Sequence, residues 1–318
     1  MAREYGSEIV LALNSLFIIF AAFLWATDSF FRYPLLGRGF SSASIVFTEH
    51  LIALFFLIVF VMYKKIKIFK LQKKEWLSLC FIGLFSSALA TVLFTMSFNY
   101  GNPSVSILLQ KFQPLVVIFC GAVFLKEKLT RSFYVYASLA ISAGFFLSFP
   151  DLNFSIFSEP KNIWEILRPA VLAISAAVLW ALGTVVGKNV LKSVQSSVVV
   201  FWRYFFGLFG VVLIALVQGQ SINSVELFSE SKNIQSLMYM SLIVGLFSMV
   251  LYYQGLKTVK ASVATVFELT FPIAAVVINY FFLDQKLNLI QLIAGSVLVF
   301  VMTRLVYSQQ VKPNTENI

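Results

Sequence analysis

Leu51-Ile-Ala-Leu-Phe-Phe-Leu-Ile-Val-Phe-Val-Met62 is a run of twelve apolar residues with no polar side chain among them. A strand of a membrane β-barrel alternates apolar and polar residues, so this run is not one. Extended to residues 43–63, it has about the 20 residues that a helix needs to cross a hydrocarbon layer roughly 30 Å thick. Comparable blocks place spans at 10–30, 43–63, 76–98, 104–125, 132–149, 169–188, 196–217, 235–256, 262–283 and 288–307. The composition agrees: of 318 residues 59% are hydrophobic and 12% charged, and mean hydropathy is +0.88. Soluble domains carry about 25% charge, so the expected class is an all-α polytopic membrane protein of ten transmembrane helices.

Cys80 and Cys120 both lie in apolar stretches and the chain has one histidine, so neither a disulfide framework nor a metal site is expected, and no cofactor. The net charge of +10 sits in short segments between spans, which argues for topology and against a nucleic-acid partner. Sixteen Lys and Arg residues fall on the side of the N-terminus, six of them between Lys64 and Lys74. The other side receives six: Arg32, Arg38, Lys161, Arg168, Lys232 and Lys286. Basic residues collect on the cytoplasmic side, so both termini are expected in the cytoplasm, in a multi-pass protein of the cell (inner or plasma) membrane. The first span follows a polar lead without a small-residue cleavage site and is read as a retained helix. A homodimer is compatible with this arrangement.

The chain repeats itself. Ser104-Val-Ser-Ile-Leu-Leu-Gln-Lys-Phe-Gln-Pro114 answers to Ser262-Val-Ala-Thr-Val-Phe-Glu-Leu-Thr-Phe-Pro272 at an offset of 158 residues. Phe23-Leu-Trp25-Ala answers to Val178-Leu-Trp180-Ala, and Phe47-Thr-Glu49-His50 to Phe201-Trp-Arg203-Tyr204. The expected organisation is a first five-helix repeat (1–149), an external linker (150–168), a second repeat (169–307) and a cytoplasmic tail (308–318). Five is odd, so the second unit enters the membrane from the opposite side. Inverted repeats let one central site face alternately inward and outward.

These paired segments, the Trp25 and Trp180 positions, and the Pro114 to Glu127-Lys128-Leu129 stretch resemble the drug/metabolite transporter superfamily, in particular its ten-helix EamA-like branch, over residues 12–306. The resemblance implies a central cavity walled by the four leading helices of each half, with the fifth and tenth outside. It also implies a secondary transporter, often an exporter of amino acids or other small metabolites. Gln285 stands in the second repeat where the first has Glu127, so the helix endings are not identical.

Glu49 and His50 in span 2, Lys111 in span 4, Arg203 in span 7 and Glu268 in span 9 lie well inside apolar segments. A charged group there costs about 2.5–3.5 kcal/mol unless it is paired or faces water, so these residues are expected to face the interior. Acid in span 2 and base in span 4 of the first half become base and acid in the second. One reading is a cavity for a zwitterion such as an amino acid, Arg203 or Lys111 meeting a carboxylate and Glu268 or Glu49 an amine. The other is two closed salt bridges, Glu49 with Lys111 and Arg203 with Glu268. Gln110, Trp25 and Trp180 are further substrate-binding candidates. Glu49, Glu268 and, less directly, His50 are candidates for proton coupling. Asp28 is expected at the solvated interface. Pro114 and Pro272 kink their helices and free carbonyls near Gln110 and Glu268, making them candidate hinges.

The function expected is secondary active transport of a small polar or zwitterionic, amino acid-like metabolite by alternating access, a proton-coupled exporter being one form of it. No Gly-rich phosphate loop is present for direct use of ATP. A channel, a lipid-handling protein and an intramembrane enzyme are the alternatives; a channel is distinguished by flux that does not saturate.

Overall fold

A long apolar segment in lipid has no water to bond its backbone, so it closes its hydrogen bonds along its own axis. The structure, a computed structural model, describes residues 2–125, 131–150, 160–259 and 261–310, and all regular elements among them are helical. In chain order the principal helices are α1 (Leu13–Gly37), α2 (Ser42–Tyr63), α3 (Lys73–Ser97), α4 (Pro103–Cys120), α5 (Arg131–Ser148), α6 (Ile163–Val190), α7 (Ser196–Val217), α8 (Ser231–Leu256), α9 (Thr270–Phe282) and α10 (Leu289–Tyr307). Eight of them, all but α5 and α9, are long and apolar enough to cross a membrane. Arg131 and the serines and tyrosines of α5 hold its hydropathy down. In the ninth region the helix is divided into Ala261–Phe267 and Thr270–Phe282, neither of crossing length. The Glu127-Lys128-Leu129 ending, Asp151 and the last eight residues lie outside the described residues. The segment expected as a linker is already helical from Pro160.

The helices are interrupted in matched places. α3 widens into π-type turns over Ile82–Leu89, and α8 does so over Met240–Phe247. The separation is 240 − 82 = 158 and 247 − 89 = 158, the offset that relates the two proline segments. α4 tightens to a 3-10 turn at Gln110–Phe112, and the break in the ninth region falls at Glu268 and Leu269, again 268 − 110 = 158. Each break lies just ahead of a proline, Pro114 or Pro272, whose missing N–H leaves the carbonyl four residues earlier without its helical donor.

α7 lies along the widened segment of α3, its most extensive contact. Gly83 is what allows this approach: a Cβ there would collide with Phe206 and stand 3.1 Å from the Gly207 nitrogen. α5 and α10 pack against each other through Phe133, Ala140, Leu147, Leu298, Met302 and Leu305. Their other faces carry exposed Ile141, Leu292, Ile293 and Phe300, as expected of a lipid-facing surface.

Gly83→Leu should therefore force α3 and α7 apart. The expected loss is about 2–3 kcal/mol from overpacking, read as a lowered unfolding temperature of the protein in detergent, whereas Gly37→Ala, which meets nothing within 4 Å, should leave it unchanged.

Candidate functional site

α1 pauses at Thr27, whose hydroxyl donates to the Leu24 carbonyl at 2.7 Å, and the helix restarts at Asp28. Asp28 and Arg32 are then one turn apart and face the same way. Arg32 Nε donates to Asp28 Oδ2 at 2.5 Å and Nη2 to Asp28 Oδ1 at 2.8 Å. Nη1 and Nη2 each donate to a Glu49 oxygen at 2.8 Å, and Nη1 also donates to Thr95 Oγ1 at 3.1 Å. All five guanidinium N–H groups are thereby used. Asp28, expected at a solvated interface, is 9% exposed, and Arg32, expected among the external loop charges, is 4% exposed. The reason is mutual: two carboxylates stripped of water need a cation between them, and Arg32 offers the forked geometry that serves both.

Across the cavity the charges are held more loosely. Lys111 Nζ donates to the backbone carbonyl of Glu268 at 3.1 Å and lies 5.2 Å from the centre of the Phe271 ring. That carbonyl accepts from the Phe271 N–H at 3.1 Å, and because Pro272 cannot donate to it as well, it has room for the ammonium. Arg203 donates to the Tyr253 hydroxyl at 3.2 Å and to the Ser86 carbonyl, in the widened part of α3, at 3.3 Å. Among the described residues neither of the two anticipated salt bridges forms: Glu49 is taken by Arg32, and Arg203 has no carboxylate within 4 Å. The Glu268 carboxyl is flanked by Tyr252 and Gln113, and its Oε1 is buried without a hydrogen-bond partner.

Asp28, Arg32, Glu49, Lys111, Arg203 and Glu268 line one cavity of about 180 Å³, three acids with three bases. Gln110, His50, Trp25 and Trp180 line it too; Pro114 and Pro272 do not. α5 and α10 contribute no lining residue. His50 is engaged on both nitrogens, Nδ1 with the Val46 carbonyl and Nε2 with the Ser87 hydroxyl, each at 2.8 Å.

The aromatic walls are paired. Trp25 stands 5.2 Å from Tyr252 and donates to Ser248 Oγ at 2.7 Å; Trp180 stands 5.2 Å from Phe94. The two contacts are counterparts, since 252 − 94 = 158 and Trp180 matches Trp25 in the sequence repeat. His50 and Tyr204, also matched in the repeat, meet at 5.0 Å. Sequence reasoning missed Arg32 and misplaced Asp28; the i,i+4 spacing of acid and base was the signal that pointed to them.

The profile of the EamA-like transporter family matches residues 13–149 and 167–308. The chain is 29% identical over 294 residues to a protein of Fusobacterium nucleatum subsp. nucleatum named riboflavin transporter ImpX, covering 91% of this chain and 95% of that protein. It is 26% identical over 142 residues to an uncharacterized transporter of Clostridium kluyveri, 45% of this chain and 44% of that protein. The crystal structure of a further protein shares the fold with a TM-score of 0.63 at 14% identity, covering 94% of this chain and 99% of that one.

Arg32→Gln should remove the cation from two buried carboxylates and cost about 3–5 kcal/mol. Arg203→Gln, which breaks only bonds to neutral oxygens, should cost less, about 1.5–3 kcal/mol. Thermal unfolding of the two variants in the same detergent compares them; equal losses would contradict the division into a closed and an open set of charges.

Proposed function

The chain belongs to the EamA-like transporter family, and from that premise we propose that it is a secondary active transporter that carries a flat, polar-edged heteroaromatic of the riboflavin kind by alternating access. In this reading α5 and the divided ninth helix join the eight long helices to give ten crossings. Two inverted halves meet about a pseudo-twofold axis in the membrane plane. The matched π segments and matched breaks, all 158 residues apart, support the repeat, as do the counterpart contacts Trp25–Tyr252 and Trp180–Phe94. The Lys and Arg distribution supports cytoplasmic termini in the cell membrane.

The substrate class rests on one observation beside the named relative: a charge-balanced cavity lined by two aromatic pairs. Trp25 and Trp180 are the stacking walls, and Gln110, Lys111 and Arg203 donate to oxygens at the edge of the ring. Glu49 is held by Arg32 and serves the fold. A second reading, an amino acid-like zwitterion, is favoured by Arg203 having no carboxylate partner and Glu268 an unpartnered oxygen.

The cavity volume of about 180 Å³ is below the roughly 300 Å³ at which pockets begin to enclose drug-sized ligands. Admission of a flavin therefore requires the walls to part. The breaks ahead of Pro114 and Pro272 are the hinges of that motion. Proton coupling, where present, falls to Glu268 before Glu49, whose oxygens are both bonded to Arg32. His50 ties α2 to α3 through Ser87 in place of carrying protons.

Purified protein in liposomes should catalyse saturable riboflavin counterflow that a mixture of neutral amino acids does not inhibit; competition by amino acids with no flavin flux would hand the site to the zwitterion reading. Trp25→Ala and Trp180→Ala should each weaken flavin binding about tenfold through lost stacking. Pro114→Ala and Pro272→Ala should slow turnover more than they weaken binding. An imposed pH gradient should drive flavin accumulation in the parent protein and fail to do so in Glu268→Gln.

A further inference from the structure

Among the described residues that line the cavity, Glu268 carries a fully buried side-chain oxygen, Oε1, that has no hydrogen-bond partner. Glu268 is 5% exposed, lines the cavity and lies at the break in the ninth helix. Leaving a buried acceptor unmade costs about 1–3 kcal/mol and more for a charged one, so the position calls for a donor. Tyr252 and Gln113 flank the carboxyl but leave this oxygen open. Lys111 does not close on it: its ammonium goes to the Glu268 backbone carbonyl at 3.1 Å, where it supplies a counter-charge while keeping donors for a neighbour. Gln110, 158 residues earlier, occupies the counterpart position and lines the same cavity. The two equivalent breaks thus offer a carboxyl that accepts when ionised and an amide that can donate.

We infer that Glu268 reads an N–H on the edge of the substrate ring, with Lys111 and Gln110 donating to the carbonyls on either side of it, so that the site selects a planar cyclic imide or ureide edge. The inference rests on the flavin reading above and extends it: riboflavin carries such an edge, its N3–H flanked by two carbonyls. A hydroxylated tail plays no part in this recognition, and an aromatic amino acid lacks the edge.

Equilibrium binding to the purified full-length protein in detergent, followed by flavin fluorescence, tests it with riboflavin and 3-methylriboflavin. The parent protein should bind the methylated flavin about 30-fold more weakly, because the methyl group removes the donor and leaves Glu268 buried without a partner. In Glu268→Ala, which removes the acceptor and makes room for the methyl group, the two flavins should bind within about threefold of each other. The isosteric Glu268→Gln should shrink the ratio to about fivefold, and it serves where the alanine variant does not fold. A residue that merely held helices together would weaken both ligands equally and leave the ratio untouched. Riboflavin binding with no sensitivity to the methyl group, or the same ratio in the parent and the glutamine variant, overturns the inference alone. Failure of the parent to bind riboflavin at all removes the flavin reading and this inference with it.

Discussion

Hydrocarbon does not tolerate an unpaired charge, and the structure is organised by how three buried acids and three buried Lys and Arg bases escape that rule. On an insertion scale each costs about 3 kcal/mol at mid-span, so six dispersed over a lipid-facing surface would cost on the order of 18 kcal/mol, more than the net stability of most domains. Gathered into one cavity, Asp28, Arg32, Glu49, Lys111, Arg203 and Glu268 sum to zero formal charge. The helices that carry them are thereby committed to face one another, while α5 and α10, which carry none of them, are free to pack outside.

The two halves have kept their backbone irregularities in register and let their side chains diverge. Ile82–Leu89 and Met240–Phe247 widen alike, and Gln110 and Glu268 stand at equivalent breaks ahead of equivalent prolines. At the same positions the chemistry differs: carboxamide against carboxylate, Lys111 against Leu269, Glu49 against Arg203, His50 against Tyr204. A shared backbone supplies two equivalent interruptions, the hinges of the proposed motion, and unlike side chains keep the ends of the cavity from being interchangeable. Widened helical turns recur at functional sites in many proteins; here one of them offers the Ser86 carbonyl to Arg203.

Much of the helical architecture was legible because it is written in run length: twenty apolar residues in a row admit few alternatives to a membrane helix. The family was legible in the repeated segments for a related reason, since spacing and residue type both survive duplication. What could not be read was partnership. Arg32 looked like a loop charge because Phe30, Phe31, Arg32 and Pro34 resemble the end of a span, yet the helix restarts at Asp28 and runs to Gly37 with Pro34 inside it. The salt bridges set as the alternative to an open cavity, Glu49 with Lys111 and Arg203 with Glu268, depend on which helices are neighbours. Sequence fixes the sign and depth of a charge but not its azimuth, so Glu49 met the cation of α1 in place of that of α4. The π segments were invisible as well, because nothing in Ile82-Gly-Leu-Phe-Ser-Ser-Ala-Leu89 departs from an ordinary helical composition.

The unequal bonding of the three bases bears on how a carrier can release what it binds. Arg32 is held by two carboxylates, and withdrawing it would strand buried charge at a cost of about 3–5 kcal/mol; a substrate offering one or two carbonyl oxygens cannot compete for it. Arg203 and Lys111 are bonded to a hydroxyl, two backbone carbonyls and the face of a ring. Exchanging one neutral acceptor for another changes the energy by about 1 kcal/mol or less, so these two bases can turn to a substrate and turn back without a large barrier. In the transport cycle proposed above, the saturated triad would hold α1 and α2 together, and recognition would fall to the groups whose present partners are replaceable. That division also argues for a neutral substrate: a carboxylate on Arg203 would recreate, deep in the membrane, the strong pairing that keeps Arg32 in place, and a cargo held that firmly would leave slowly.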